Sequence, residues 1–465
     1  MCSHNYGVFT LLLFFFTSLV FSEPPDTSKL RQYSKLAEEI IQAGLRSGKA
    51  YEILSELSGG VGPRLSGSPQ AAKAVEWAKK KMEELEFQQV HLESVTVPHW
   101  VRGSGEEASI VASKSFGNKP LHICALGGSV GTPASGITAE VIEVKSFDEL
   151  KGFGDQAKGK IIFFNRPMDR SKINTFEAYG SAVNQRGGGA VEAARAGGIA
   201  ALVRSMTTSI DTFPHTGAMG YNDSIPKVPA AAISTVDANM LSDLLSREKS
   251  VNIHLQLSCE MLPDVESANV VGELTGTEKP NEVIVMGGHL DSWDKGRGAH
   301  DDGAGCAHVI EALRLLKDLG LEPKRTIRAV TFINEENGLR GGKAYAAKPR
   351  PGEKHIAAIE SDAGGFTPRG FGIQSDSVTY DKIAQWSPLF ESIEAGRFRK
   401  GGGGADISEL GKQGVPTIGL RVDGQKYFDY HHSDLDTIDK VNERELELGA
   451  AAVAILAYVL AQEGL

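Results

Sequence analysis

The chain has little cysteine and no excess of basic charge. Among 465 residues there are four cysteines, and 59 Asp and Glu outnumber 49 Lys and Arg, which gives a formal net charge of -10 at pH 7. Beyond the N-terminus only Cys124, Cys259 and Cys306 remain, too few for a disulfide scaffold. The acidic balance offers no basic stripe to nucleic acid or to an anionic membrane. We therefore expect neither as a partner.

Long apolar runs are also scarce, and the one that stands out is GVFTLLLFFFTSLVFS near the N-terminus. It is shorter than the roughly 20 residues of a membrane span, and small residues at Val20 and Ser22 suit signal-peptidase cleavage. We predict a signal peptide over residues 1–22, and hence a secreted protein or one of the secretory or lysosomal lumen. A membrane anchor is the alternative. The triplet Asn222-Asp-Ser predicts a glycan at Asn222.

Composition and residue pattern divide the chain after residue 22 into further segments. Residues 23–45 are polar and helix-prone, and are either a propeptide or a leading helix. Residues 116–265 contain short β-rich runs, Gly-dense stretches and one predicted helix, AVEAARAGGIAALVRS, which indicates a β-rich insert. Strands alternate with helices over 266–465, so residues 46–115 and 266–465 are predicted to form one α/β domain, a mixed sheet with helices on both faces. The runs VNIHLQLSC and ANVVGELTG, at the junction, resemble paired strands.

Polar clusters follow the predicted strands of the last third of the chain. Ligands bind at the carboxyl edge of open α/β sheets, so we expect these side chains to meet there. Imidazoles and carboxylates without thiolates are a ligand set for zinc or a similar divalent ion. The clusters, including the loop acids that precede a predicted helix, are His289 and Asp291, Asp301 and Asp302, Glu335 and Glu336, Asp362, and His431 and His432.

The number of acids favours two metal ions over one. Several buried carboxylates repel one another unless cations neutralise them, and a pair of ions sharing one carboxylate fits the count. Neighbouring strand residues point in opposite directions, so one of Glu335 and Glu336 can hold a metal while the other takes a proton from water. In His289-Leu-Asp291, the aspartate can accept the second imidazole N–H and fix the tautomer of the histidine.

Five segments, GGHLDSWD, GAHDDGAG, NEENG, ESDAGG and YHHSDLDT, occur in one order from residue 287 onward. Together they resemble the co-catalytic zinc exopeptidases of the aminopeptidase Y and glutamate carboxypeptidase type. The resemblance extends from about residue 50 to the C-terminus. It implies a zinc-exopeptidase fold with an inserted protease-associated domain, two zinc ions per chain, a homodimer and zymogen processing.

The resemblance also implies residue roles. His289 and Asp362 would hold one zinc, Glu336 and His432 the other, and Asp301 would bridge them. Glu335 would be the base, with Asp291 and Asp302 behind the ligands, and the peptide bond between Asp301 and Asp302 would be cis. Some relatives have an oxyanion-donating tyrosine directly before the last histidine. That place is taken here by His431, with Tyr430 shifted by one, so both are candidates for substrate or oxyanion contacts.

Other interpretations compete with this one. GGSVG places Ser129 in a G-x-S-x-G pattern, but Pro133 and Gly136 oppose the helix that a nucleophile elbow requires. The run of glycines at 401–404 lacks the Lys-Ser/Thr of a phosphate loop, and a mobile loop beside the site is the better interpretation. A non-catalytic receptor and a single-zinc glutaminyl cyclase-like acyltransferase remain alternatives. The favoured prediction is a di-zinc exopeptidase that hydrolyses short peptides, above all unblocked dipeptides.

Overall fold

A computed structural model describes Met1 and residues 27–465. The predicted signal-peptide segment after Met1 lies outside the described residues. The strands are β1 Gln88–Val101, β2 Glu106–Ser113, β3 Gly117–Leu121, β4 Ile123–Ala125, β5 Ile137–Val144, β6 Ile161–Phe164, β7 Ala200–Arg204, β8 Ala230–Ile233, β9 Asn252–Leu257, β10 Glu260–Leu274, β11 Lys279–His289, β12 Arg325–Phe332, β13 Lys354–Glu360, β14 Pro368–Gln374, β15 Arg397–Lys400 and β16 Thr417–Val422.

Helices alternate with these strands through most of the chain. The α-helices are α1 Thr27–Ser47, α2 Ala50–Leu54, α3 Pro69–Glu84, α4 Phe147–Phe153, α5 Thr175–Ala182, α6 Asn184–Arg195, α7 Thr235–Arg247, α8 Ala304–Asp318, α9 Arg340–Ala347, α10 Ser377–Ala384, α11 Ser408–Lys412, α12 Tyr427–Tyr430 and α13 Glu443–Glu463. Several begin at side-chain caps. Ser68 accepts a hydrogen bond from the backbone N–H of Ala71 at the start of α3, with Pro69 in the first turn, and Asn442 caps α13 in the same way.

The first sheet carries the predicted α/β alternation. Its strand order is β1-β10-β12-β11-β13-β16-β14-β15. The four strands β12, β11, β13 and β16 at its centre are parallel, so their carboxyl ends share one edge. Strand β11 is buried on both faces: Ile284 and Met286 pack into the core that contains α8 and α13, whereas Val283 and Val285 pack into a second cluster under α9 and α11. Helices on both faces of a mixed sheet are therefore confirmed.

The second sheet has the order β3-β2-β9-β5-β6-β7-β8-β4. Its strands lie between Glu106 and Leu257, and we call residues 106–257 the second unit and the rest of the described chain the first unit. The predicted boundaries at 116 and 265 differ from this, because β2 pairs with β9 in the second sheet and β10 pairs with β1 and β12 in the first. Four parallel strands and the helices α4 to α7 make this unit α/β rather than β-dominated.

Two local predictions are wrong. The segment AVEAARAGGIAALVRS does not form one helix, because α6 ends at Arg195 and Ala200–Arg204 forms strand β7, which lies between β6 and β8. Gly197, with φ +84°, and Gly198 separate the two elements. The runs VNIHLQLSC and ANVVGELTG do not pair with each other, since β9 lies in the second sheet and β10 in the first.

Two long helices complete the first unit. α13 has the length and composition of a membrane span, and most of its residues are buried against α8, α1 and the sheet. The leading helix α1 packs on α13, with Tyr33, Ala37, Ile40 and Ile41 in the core, and Tyr33 donates a hydrogen bond to Glu463. Whether residues 23–45 are a propeptide stays a prediction, and it can be tested through this packing.

We expect Ile40→Ala to lower the free energy of unfolding by about 2 to 4 kcal/mol, the usual loss for truncating a buried isoleucine. Ile40 is 1% exposed. Urea denaturation of purified protein measures the change, with the exposed Gln32→Ala on the same helix as the matched control. If the two variants unfolded at the same urea concentration, α1 would not be part of the cooperative core, and a removable leading segment would be favoured.

Candidate metal centre

The carboxyl edge of the first sheet gathers the side chains that the sequence singled out. β11 ends at His289, the turn after β12 holds Glu335 and Glu336, Asp362 follows β13, and His432 follows β16 and α12. Because β12, β11, β13 and β16 are parallel neighbours, these positions converge. They surround the short turn Ala299–Gly303, in which the peptide bond between Asp301 and Asp302 is cis, as expected.

Asp301 lies between two groups of side chains. Its Oδ1 is 3.2 Å from His289 Nε2, which is 3.7 Å from Asp362 Oδ1. Its Oδ2 is 3.1 Å from His432 Nε2, which is itself 3.1 Å from Glu336 Oε2. The two oxygens of one carboxylate thus face two separate pairs of imidazole and carboxylate. This is the arrangement that a bridging ligand between two cations requires.

The spacing and a missing hydrogen-bond donor both fit metal ions. Two ligands about 2.0 to 2.2 Å from one tetrahedral ion lie about 3.3 Å apart, close to the separations observed here. Glu336 Oε1 is buried without a hydrogen-bond donor in the described part of the chain, which is costly for a carboxylate unless a cation takes the place of the donor. Ligand atoms of His289, Asp301 and Glu336 all lie within 4.8 Å of one another. The residues present fit zinc.

Two further residues come close enough to be considered as ligands. Asp302 is spaced to join His289 and Asp362, but its carboxylate accepts the backbone N–H groups of His289 (3.0 Å) and Gly305 (2.9 Å). Asp302 therefore ties the end of β11, which carries His289, to the start of α8. His431 stacks on His432 with ring centroids 3.5 Å apart, its Nε2 lies 3.6 Å from Asp301 Oδ2, and its buried Nδ1 has no partner among residues 27–465.

The electrostatics show how much positive charge the site needs. Burial opposes the ionisation of Asp301, but His289 and His432 hold the pKa of its carboxyl well below its usual range. Burial alone would lower the pKa of His432, and Glu336 and Asp301 raise it to about 9 instead. Burial raises the pKa of Glu335 well above its usual range, with Asp362 adding to the rise. Without metal, the imidazolium ions are the cations that this cluster of acids retains.

Glu335 is oriented by Asp291 in a way that the sequence did not predict. Asp291 Oδ1 accepts the backbone N–H of Glu335 (3.0 Å) and Oδ2 accepts the hydroxyl of Ser66 (3.1 Å). The partner of His289 Nδ1 is the backbone carbonyl of Asp291, 3.0 Å away, and not the carboxylate. The predicted carboxylate contact is therefore wrong. A backbone carbonyl still fixes the tautomer of His289, because a carbonyl can only accept a hydrogen bond. The proton is therefore on Nδ1, and the lone pair of Nε2 is free to bind a metal.

Of the two oxyanion candidates, the structure brings only one to the site. His431 lines the cleft, a cavity of about 470 Å³, together with the proposed ligands Asp301, Glu336, Asp362 and His432. Tyr430 does not line it: its ring stacks with His300 (5.5 Å) and Phe366 (6.4 Å). Tyr427, three residues earlier on α12, lines the cleft instead. The candidacy of Tyr430 is thus not supported by its position.

The second unit contributes residues that the sequence did not reveal. Arg186 and Tyr179 line the cleft, and the Arg186 guanidinium donates to the Tyr179 hydroxyl (2.7 Å) and lies 3.5 Å from His432 Nδ1. The loop after β7 also holds the histidine pair: the Thr216 backbone N–H donates to the His432 carbonyl (2.9 Å), and His215 Nδ1 lies 2.6 Å from the His431 carbonyl. Arg186 is one of two arginines in the Ala- and Gly-rich helix α6, and its sequence neighbours carry no signal of such a role.

The remaining sequence candidates do not line this cleft. Ser129 is buried in the second unit, where its hydroxyl donates to the Val130 carbonyl and accepts from the Ala230 N–H, so no nucleophile elbow forms. The glycines at 401–404 run over β14 and β16. Asn222 is exposed, as a glycosylated asparagine must be. Cys124, Cys259 and Cys306 are buried and free.

Comparison with known proteins agrees with the geometry. The profile described as Peptidase family M28 matches residues 269–457, which include every proposed ligand. Carboxypeptidase Q of Mus musculus is 38% identical over 93% of this chain and 90% of its own length, and that of Homo sapiens is 39% identical over 90% and 86%.

Solved structures share the whole architecture. The crystal structure of a Peptidase M28 precursor from Shewanella amazonensis SB2B is 38% identical, covers 93% of this chain and 98% of its own, and superposes with a TM-score of 0.89. A zinc aminopeptidase from Bacillus subtilis, 20% identical, covers 89% and 95% with a TM-score of 0.66, which shows a common fold. With these relatives and this site, the chain belongs to peptidase family M28 and is a metallo-exopeptidase.

Proposed function

We propose that the protein hydrolyses short peptides, above all unblocked dipeptides, with the help of two zinc ions. The observation that carries this proposal is the Asp301 carboxylate, whose two oxygens face His289 at 3.2 Å and His432 at 3.1 Å. One oxygen toward each imidazole gives two adjoining sites rather than one. The relatives that match nearly the whole chain bear the name carboxypeptidase Q, which supports peptide substrates.

The residues divide the work between holding zinc and moving a proton. His289, Asp301 and Asp362 would hold one ion, and Asp301, Glu336 and His432 the other. Bound zinc supplies positive charge that polarises the scissile carbonyl and makes a water in the cleft more acidic. Glu335 removes a proton from the water while the oxygen of that water attacks the carbonyl carbon. It then delivers that proton to the leaving nitrogen as the C–N bond breaks.

The shape of the cleft favours small substrates. Phe176, Tyr179 and Arg186 of the second unit stand across the cleft from Glu335 and Asp362 of the first. Phe176 packs on Tyr427 and Phe428, with ring centroids 5.2 and 5.0 Å apart, so this wall is anchored to the first unit. A cleft of about 470 Å³ walled by residues of both units suits a short peptide with a free end.

Several finer points stay predictions. The second unit is proposed to be a protease-associated domain, since its helix and the following strand AARAGGIAALVRS carry that resemblance. Secretion or a lysosomal location, glycosylation at Asn222, zymogen processing and a homodimer likewise rest on the sequence. His431, in the cleft beside the proposed ligands, is the proposed donor to the developing oxyanion.

Removal and return of zinc tests the proposal directly. Purified protein is dialysed against a chelator and then titrated with zinc, while hydrolysis of Ala-Ala is followed by release of free alanine. We expect no turnover without metal and full recovery near two zinc equivalents per chain. Saturation at one equivalent, with cyclisation of N-terminal glutamine instead of hydrolysis, would favour the acyltransferase. Zinc binding without turnover of any dipeptide would favour a receptor.

A further inference from the structure

The second unit places a tyrosine and an arginine in the wall of the metal cleft. Tyr179, on α5, and Arg186, on α6, line this cleft. So do the proposed ligands Asp301, Glu336 and His432. Neither Tyr179 nor Arg186 is a proposed metal ligand or the proposed base. Both side chains are therefore available to contact a substrate whose scissile bond lies at the metal centre.

The hydroxyl of Tyr179 has its acceptor side occupied. A guanidinium N–H of Arg186 donates a hydrogen bond to the Tyr179 oxygen at 2.7 Å. A phenol has one proton of its own to donate, and no group among residues 27–465 accepts that proton. Because Arg186 occupies one side of the oxygen, the proton is directed away from Arg186 and is left for a ligand in the cleft.

Arg186 is a cation without an acidic partner. No carboxylate in the described part of the chain forms an ion pair with it, and its Nε is buried without a hydrogen-bond partner there. A second guanidinium nitrogen lies 3.5 Å from His432 Nδ1. Gly217 leaves the space for this approach, because a side chain at that position would overlap both the guanidinium and the imidazole. The guanidinium is thus fixed between Tyr179 and a proposed ligand.

This environment suits a hydrogen-bond donor to a negatively charged oxygen. Burial raises the pKa of the Tyr179 hydroxyl, so the hydroxyl keeps its proton at neutral pH, and Arg186 opposes the rise. Asp301 and Glu336 add to the rise, since the hydroxyl shares the cleft with them. Hydrogen bonds to an ionised acceptor are about twice as strong as those between neutral groups, and a cation behind the donor polarises it further.

We propose that Tyr179, positioned by Arg186, donates a hydrogen bond to the carbonyl oxygen of the scissile bond while that oxygen gains negative charge. The inference rests on the proposed peptidase function and adds a catalytic residue from the second unit. Arg186 acts through Tyr179 and is a positioning residue. The phenol keeps its proton, so this contact changes no covalent bond. His431, whose ring centroid lies 5.5 Å from that of Tyr179, donates from the adjoining side.

Tyr427 is the rival donor, because it also lines the cleft. Burial, Asp301 and Asp362 raise the pKa of Tyr427 well above its usual range. No guanidinium donates to its hydroxyl within residues 27–465, so it lacks the cation that supports Tyr179. A phenol with a higher pKa is the weaker donor, which favours Tyr179.

Removal of one hydroxyl tests the inference. Tyr179→Phe keeps the ring, which stacks on Phe428 with centroids 4.6 Å apart, and removes only the donor. We expect the zinc-loaded variant to lose about a hundredfold in kcat on Ala-Ala with little change in KM, because the hydrogen bond strengthens as charge develops. Release of free alanine measures both constants. The control is Tyr51→Phe on α2, whose hydroxyl has the Ile438 carbonyl as its partner, at 3.5 Å.

A mimic of the transition state supplies a readout that does not depend on turnover. The phosphinic acid analogue of Ala-Ala carries charged oxygens at the position of the scissile carbonyl. We expect Tyr179→Phe to weaken binding of this analogue at least about tenfold by calorimetry, more than the change in KM for Ala-Ala.

The role of Arg186 is tested through Tyr179. Arg186→Gln is expected to lower kcat, and Arg186→Lys to recover part of the loss. If Arg186 acts through the hydroxyl, combining Arg186→Gln with Tyr179→Phe lowers kcat no further than Tyr179→Phe alone. Additive losses would overturn the positioning role.

Two results would overturn the assignment of Tyr179. One is equal kcat for Tyr179→Phe and Tyr51→Phe, and the other is a loss in Tyr427→Phe that Tyr179→Phe does not share. In either case wild type would still hydrolyse Ala-Ala. A wild-type protein that binds zinc and hydrolyses no dipeptide would instead remove the proposed function itself. Zinc analysis and thermal melting of each variant establish that it is loaded and folded.

Discussion

Glu335→Gln is expected to lose about a hundred- to ten-thousandfold in kcat on Ala-Ala while the protein keeps its zinc, because glutamine preserves the shape of the side chain and cannot accept a proton. Glu335 lines the cleft beside Glu336 and Asp362, and Asp291 fixes its backbone. Burial raises the pKa of Glu335 well above its usual range, as expected of a group held close to other acids. Stopped assays for free alanine and zinc analysis of the same sample make the measurement.

A matched control separates charge from position. Glu52→Gln makes the same substitution at an exposed site on α2 and is expected to behave like wild type in both measurements. Loss of zinc together with activity in Glu335→Gln would make Glu335 a ligand instead of a base. Full turnover by this variant would remove it from the mechanism altogether.

Asp301→Ala is expected to abolish activity and to reduce zinc from about two ions per chain to less than one, since both sites share this carboxylate. No other side chain in the described residues faces both imidazole and carboxylate pairs at such short distances. Equilibrium dialysis against buffered zinc, read by atomic absorption, gives the stoichiometry. Retention of both ions would contradict the bridging assignment, whatever the effect on activity.

The stacked histidines give this experiment an internal comparison. His432→Gln removes a proposed ligand and is expected to lose one zinc, whereas His431→Gln removes its neighbour and is expected to keep both with a lower kcat. The two changes are chemically identical and lie side by side, with ring centroids 3.5 Å apart in the protein. The opposite result would assign the metal to His431, which spacing alone also permits.

The ends of the parallel strands were the predictable part of this protein. His289, Glu336 and Asp362 follow buried strands whose apolar runs are plain in the sequence, and parallel strands bring their carboxyl ends together whatever their order in the sheet. Only the family resemblance predicts which of Glu335 and Glu336, and which of His431 and His432, is the metal ligand. Local patterns could not do so, because adjacent residues of the same type differ only in the direction that the backbone gives them.

The orientation of side chains and the long-range pairing were not predictable. The Asp291 carboxylate serves the backbone of Glu335 because that turn lies beside it in space, 44 positions later in the chain. Arg186 reaches the cleft from helix α6 of the second unit. Likewise VNIHLQLSC and ANVVGELTG both have the residue pattern of a strand. That pattern does not determine the neighbouring strand, and the two segments belong to separate sheets. These are tertiary effects that override local preference.

The bonds from His215 and Thr216 to the carbonyls of the histidine pair have a consequence for how the enzyme fails under stress. Proteins unfold locally in cooperative units. Separation of the second unit, residues 106–257, from the first would release the loop that carries His431 and His432, while the core around α8 and α13 stayed folded. Such a state would lack catalytic activity, but it would remain folded and could regain activity. A peptide that bridges both halves opposes the parting, so saturating ligand would delay thermal inactivation more than it raises global melting.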